Sequence, residues 1–232
     1  MKKLSAFLLV LLIAGCLKPG YEVVEELGGK YDAKLILEEM KTTQGKEVDV
    51  LKVLYTYNSE EERGILPQSI VPAFEKIKQD SPEEAVVTMW WDYASALRGY
   101  TGRDVVIDAP SSEIIYSVAG GWEKEFSSDE RVRDVSTIFT TNSSGEAIQL
   151  MKKYNSEFIL IHSSDYSKAF VFFNLAKGDS KGYIKFLSNG DLLPTPEGYR
   201  TMFFRMYDWE YIPGFSQFYA DNSTRIYRTE ST

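Results

Sequence analysis

From Ala85 to Arg228 the chain alternates short runs rich in β-branched and aromatic residues with amphipathic, capped stretches, which restricts it to folds where helices cover a sheet. Strands are predicted at Ala85 to Trp90, Asp104 to Ile107 and Phe158 to His162. A helix is predicted from Ser111 to Ala119. Two more start at the capping boxes Ser127/Glu130 and Ser143/Glu146, where a hydroxyl takes up a free helix N–H and the carboxylate returns the bond. Asp165 to Lys177 reads as helix and Tyr183 to Leu187 as strand, with Asn189-Gly190 turning the chain toward Leu192. Pro196 and Glu197 open a helix carrying Tyr199, Met202, Phe203 and Met206. Strands at Phe215 to Tyr219 and Thr224 to Arg228 close the chain, and the whole reads as an α/β layered domain.

Upstream the pattern is less regular. Pro67 and Pro72 bracket the start of a helix through Phe74 and Ile77 that stops at Ser81-Pro82. Residues 31–66 read as a small N-terminal segment: Lys34 to Met40 fits a helix, but Val48, Val50, Val53, Tyr55 and Tyr57 favour strand, and the balance points to a hairpin. Residues 17–30 read as a linker, punctuated by Pro19 and Gly20 and solvated by Glu22, Glu25 and Glu26.

Residues 1–16 have the order of a lipoprotein signal segment: Lys2 and Lys3, the apolar run Leu4 to Ile13, then Ile13-Ala14-Gly15-Cys16. Cys16 is the single cysteine, so no internal disulfide competes for it. Lipid on its sulfur would anchor the chain to the outer face of the cytoplasmic membrane. An uncleaved anchor and a simple secretory signal are the alternatives. No second segment reaches the roughly 20 apolar residues of a spanning helix.

Lys and Arg total 26 against 34 Asp and Glu, a net charge of −8, which disfavours nucleic acid as a partner and adds nothing to binding of acidic lipids. No His or Cys spacing suggests a metal, and no cofactor is expected. Asp104, Asp108 and Glu113 read as strand-end and helix-cap residues. His162, the only histidine, reads as an ordinary half-buried residue at a strand end. Ser163 and Ser164 beside it would suit a hydrolase, but Gly-x-Ser-x-Gly is absent.

The most unusual local feature is Trp90-Trp91-Asp92-Tyr93, three large aromatics around one carboxylate at a strand end. Strand alternation places Trp90 and Trp91 on opposite faces, so one of them is expected to border a cavity where indole N–H donors and a carboxylate grip a hydroxyl. On composition alone, a core cluster with a satisfied carboxylate is the commoner outcome.

Trp90-Trp91-Asp92-Tyr93-Ala94 resembles the WWDYG signature of the catalytic subunit of oligosaccharyltransferase, with Ala94 in place of Gly. Asp165-Tyr-Ser-Lys168-Ala-Phe-Val-Phe172 is similar to the DxxKxxxM/I motif of its archaeal and eukaryotic members, with Phe172 in place of the aliphatic residue. Spacings of three and seven put Asp165, Lys168 and Phe172 on one helical face; without the first motif, a surface ion pair would be the favoured reading. The segments Phe215 to Tyr219 and Ile226 to Arg228 are likewise similar to that domain's terminal strands.

The resemblance covers residues 67–232 and implies a mixed sheet with flanking helices, like the enzyme's soluble domain, in an archaeal setting. It implies that Trp90, Trp91, Asp92 and Tyr93, with Asp165, Lys168 and Phe172 at the pocket wall, bind the Ser or Thr hydroxyl of Asn-X-Ser/Thr peptides. The family's transfer chemistry sits in a multispanning half that the chain lacks, so a non-catalytic peptide binder is expected. The rivals are an accessory that joins a multispanning glycosyltransferase subunit in a split enzyme, and a structural envelope lipoprotein that has lost the pocket. Asn142-Ser143-Ser144 and Asn222-Ser223-Thr224 match the acceptor pattern themselves, as glycosylation sites or as ordinary turn and helix-entry asparagines.

Overall fold

The computed structural model describes residues 20–108 and 130–230. The signal segment with Cys16, the expected helix Ser111 to Ala119, and Ser127 of the first capping box lie outside them.

Ser156–His162 (β7) shows why the sheet lies where it does. Its apolar run alternates, with Phe158 and Leu160 packing into one core while Ile159 and Ile161 enter another. Around it, Val86–Thr88 (β5), Asp104–Val105 (β6), Phe215–Ala220 (β10) and Thr224–Thr229 (β11) complete a five-stranded sheet of order β10-β11-β7-β5-β6. Strands β6, β5 and β7 are parallel, whereas β11 is antiparallel to β7. The sheet is therefore mixed, with helices on both faces.

One face carries Val71–Asp80 (α1) and Ala94–Thr101 (α2); the other carries Glu130–Thr140 (α3), Ser144–Lys153 (α4), Ala169–Lys177 (α5) and Met202–Tyr207 (α7). Pro196–Tyr199 (α6) follows the hairpin Ile184–Phe186 (β8) and Leu192–Pro194 (β9). The Ser143 cap of α4 forms as expected, its hydroxyl accepting from Glu146 N. Glu146 does not close the box: its carboxylate accepts from Thr141 Oγ1, which in turn accepts from Ser143 N.

The N-terminal third differs from its sequence reading. Tyr21–Gly28 (β1), read as linker, is the edge of a four-stranded antiparallel meander with Ala33–Lys41 (β2), Glu47–Tyr57 (β3) and Glu60–Ile65 (β4). Its glutamates misled the reading because an edge strand exposed on most of its side chains tolerates them. Nor are residues 31–66 an appendage: Ala33, Leu35, Val53 and Tyr55 share a core with α1 and α2. Small residues allow this approach. A Cβ on Gly64 would lie 2.2 Å from Ala96 N, and one on Gly99 2.5 Å from the Tyr55 ring.

Candidate functional site

Strands β5 and β7 are parallel neighbours, and their carboxyl ends send the chain to opposite faces: β5 leads into α2 on one, β7 into α5 on the other. In sheets of this kind such a divergence marks the region beyond the strand ends, here the β5/β7 crevice, as the usual place for a site. The Trp90 to Tyr93 segment leaves β5 there, and Ser163–Lys168, a 3-10 stretch, leaves β7.

The two tryptophans do not take opposite faces. Ordered pairing stops at Thr88, and the chain bends into a 3-10 turn over Trp91–Tyr93, so strand alternation no longer applies. The indoles lie against each other, centroids 3.9 Å apart and tilted by 30°. Trp90 is buried and meets the edge of Phe172 at 4.5 Å; Trp91 is half-buried above it. Phe172 has no exposure and packs on Phe139 and Phe203 as well, so it supports Trp90 from below and forms no pocket wall. Ala94 begins α2 with ordinary helical angles (φ −61°), a conformation that requires no glycine.

The polar residues of the two segments lie together. Lys168 Nζ lies 2.6 Å from Asp92 Oδ2 and 3.7 Å from Asp165 Oδ1, and sits over the Tyr93 ring. The Asp92 side chain keeps 35% of its surface exposed, whereas that of Asp165 keeps 3%. Burial pushes the Asp165 carboxyl up to about 6, against the opposing pull of the His162 backbone N–H and Lys168. Burial also works against the Lys168 charge, but the Asp92 hydrogen bond and the two carboxylates outweigh it and hold the ammonium above its usual range. The result is a fixed cation and an accessible carboxylate beside an indole face. That combination suits a ligand carrying a hydroxyl and some apolar surface.

Sequence reasoning missed a second row of polar groups. Tyr93 Oη lies 2.9 Å from Ser164 Oγ, which lies 2.9 Å from His162 Nδ1; His162 Nε2 lies 3.0 Å from Ser69 Oγ. His162 is buried, not half-buried. Its ring caps the 3-10 stretch by accepting from Ser164 N, while Asp165 Oδ2 accepts from His162 N at 2.9 Å. Burial, helped by the Lys168 charge, lowers the imidazole below its ordinary range. No local sequence signal links Ser69 to a residue 93 positions away.

Of the two acceptor-like triplets, Asn142 is exposed ahead of α4 with Ser144 half-buried. Asn222 is exposed too, but Thr224 is fully buried in β11, and its hydroxyl has no partner and no accessible surface. Among the described residues no group of three or more His, Cys, Asp or Glu side chains is placed to hold a metal, and no helix is long and apolar enough to cross a membrane.

No protein-family model matches the chain, and no curated protein matches it. Solved structures do. The C-terminal globular domain of an oligosaccharyltransferase from Archaeoglobus fulgidus, AfAglB-S2, aligns with a TM-score of 0.50 at 13% identity, covering 71% of this chain and 99% of that one. An A. fulgidus oligosaccharyltransferase tethered to an acceptor peptide containing the NVT sequon aligns at 0.49 and 13%, covering 66% of this chain and 24% of that one. The chain thus has the fold of the oligosaccharyltransferase soluble domain. It spans about a quarter of the length of the peptide-tethered chain.

Proposed function

We propose that the protein is a peptide-binding relative of the oligosaccharyltransferase soluble domain, held on the outer face of the membrane by lipidated Cys16, that takes Ser/Thr-containing acceptor segments without itself carrying out transfer. The observation that carries this is the Asp92–Lys168 pair next to the half-buried Trp91, where the chain leaves the carboxyl end of β5. Asp92 accepts the ligand hydroxyl, Lys168 fixes that carboxylate in place, and Trp91 excludes water over the contact. A ligand lacking the hydroxyl covers the free Asp92 oxygen without giving it a bond in place of water, which weakens binding.

The test is a tryptophan-fluorescence titration with Asn-X-Thr and Asn-X-Val peptides, on the natural protein and on Asp92→Ala. Thr-dependent quenching that the substitution abolishes supports the reading. Equal responses to the two peptides refute it.

A second reading is favoured by the burial of Trp90 and Phe172: half of the motif is core, as in an envelope lipoprotein that keeps the fold without the pocket. In that case Asp92→Ala leaves every peptide response unchanged and lowers only stability.

A further inference from the structure

We infer that Tyr93, Ser164, His162 and Ser69 form a one-way hydrogen-bond relay that positions Tyr93 beside Asp92 and makes Ser69 a hydrogen-bond donor to the ligand at the far rim of the crevice. The inference rests on the crevice being a binding site.

The direction of the relay follows from one backbone group. Ser164 N–H can only donate, and it is directed at His162 Nδ1 at 3.3 Å, so that nitrogen carries the lone pair and the neutral ring is protonated on Nε2. Nε2–H then donates to Ser69 Oγ, and the Ser69 proton points outward, since its oxygen already accepts. On the other side, Ser164 Oγ–H donates to Nδ1 and Tyr93 O–H donates to Ser164 Oγ. Every proton in the row points from Tyr93 toward Ser69, an arrangement in which successive bonds strengthen one another. The Tyr93 end is left as an acceptor and the Ser69 end as a donor suited to a peptide carbonyl.

The same direction argues against hydrolysis at this place. A base must take the serine proton, but the Nε2 atom facing Ser69 already carries one.

The relay requires neutral His162. The charges facing the ring are Lys168 from the 3-10 stretch and Asp221 from the β10–β11 turn; Asp165 bonds the backbone N–H of His162, and the Gln68–Ile70 turn brings no charge. Protonation would set Nδ1–H against Ser164 N–H. Ser164 Oγ must then turn to accept from the ring, so Tyr93 becomes a second donor to the same oxygen and the one-way order is broken. Acid therefore loosens the turn that carries Asp92.

Because His162 is the only histidine, its imidazole gives a single spin system in the full-length protein, ¹⁵N-labelled at histidine and held in detergent micelles. Long-range ¹H–¹⁵N spectra are expected to show Nε2 protonated, Nδ1 bare, and a titration midpoint below the ordinary 6.5. Tyr93→Phe, which lets Ser164 Oγ turn and accept, moves that midpoint upward, whereas Tyr55→Phe, bonded elsewhere to Ser95, leaves it in place. An Nδ1-protonated ring, a midpoint at or above 6.5, or a midpoint indifferent to Tyr93→Phe would overturn the relay whatever the peptide data show.

With Asn-X-Thr peptide, Ser69→Ala weakens binding roughly three- to tenfold, the worth of one neutral hydrogen bond, while Ser69→Thr spares it. Binding falls through the His162 midpoint in the natural protein but not in His162→Asn, whose amide oxygen stands in for Nδ1. Unchanged affinity in Ser69→Ala would overturn the donor role. A protein that shows the expected imidazole spectra but binds neither peptide would refute the peptide reading and leave the relay standing.

Discussion

Asp165 offers a direct physical test, because a carboxylate this buried makes folding sensitive to pH in a known direction. Its carboxyl is raised from 3.8 to about 6, chiefly by burial. Between those values the folded chain keeps a proton that the unfolded chain has released, so stability falls as pH rises across this window and levels off above it. Two units at about 1.4 kcal/mol each place the loss on the order of 3 kcal/mol. Asp165→Asn keeps an oxygen to accept from His162 N but cannot ionise. Its amide nitrogen faces Lys168 and carries a fixed cost, so the informative quantity is the change in the mutant-minus-natural difference with pH. Urea denaturation at pH 4, 5, 6 and 7, followed by tryptophan fluorescence, is expected to show the mutant gaining on the natural protein by about 2–3 kcal/mol from pH 4 to pH 7. A difference that stays flat would show that burial does not raise the Asp165 carboxyl, and a natural protein that gains on the mutant as pH rises would show that the folded state needs Asp165 ionised.

Two further predictions concern the meander and the anchor. Gly64→Ala places a methyl 2.2 Å from Ala96 N and 2.5 Å from Ala96 Cα, both backbone atoms, so β4 must leave α2. A cost of about 1–3 kcal/mol is expected, read as a fall in Tm on the order of 5 °C. Cys16→Ser is expected to prevent incorporation of radiolabelled lipid and to move the protein from the membrane fraction toward the soluble fraction; unchanged lipid labelling would refute lipid attachment at this residue.

The sequence showed most where a local pattern or cap agrees with the fold. The strand at Phe158 to His162, the closing hairpin and the Ser143 cap all carry local signals that tertiary packing reinforced. Asp92 and Lys168, 76 positions apart, were brought together by a motif resemblance and by no periodicity. The stacking of Trp90 on Trp91 escaped alternation arguments because the strand gives way to a 3-10 turn at that point. The bonds of His162 to Ser164 and Ser69 escaped for a different reason: a buried imidazole's partners depend on tautomer and packing, and neither is written locally.

The early start of β1 has a mechanical consequence. If Cys16 carries lipid, only four residues, five Cα-to-Cα steps, separate the anchor from Tyr21, where ordered pairing begins. Fully extended, they span about 17 Å at most. A leash that short cannot let the body tumble freely. It holds the meander's outer edge close to the headgroups and sweeps the β5/β7 crevice over a narrow band of heights, so geometry selects which segments of a membrane-bound neighbour come within reach.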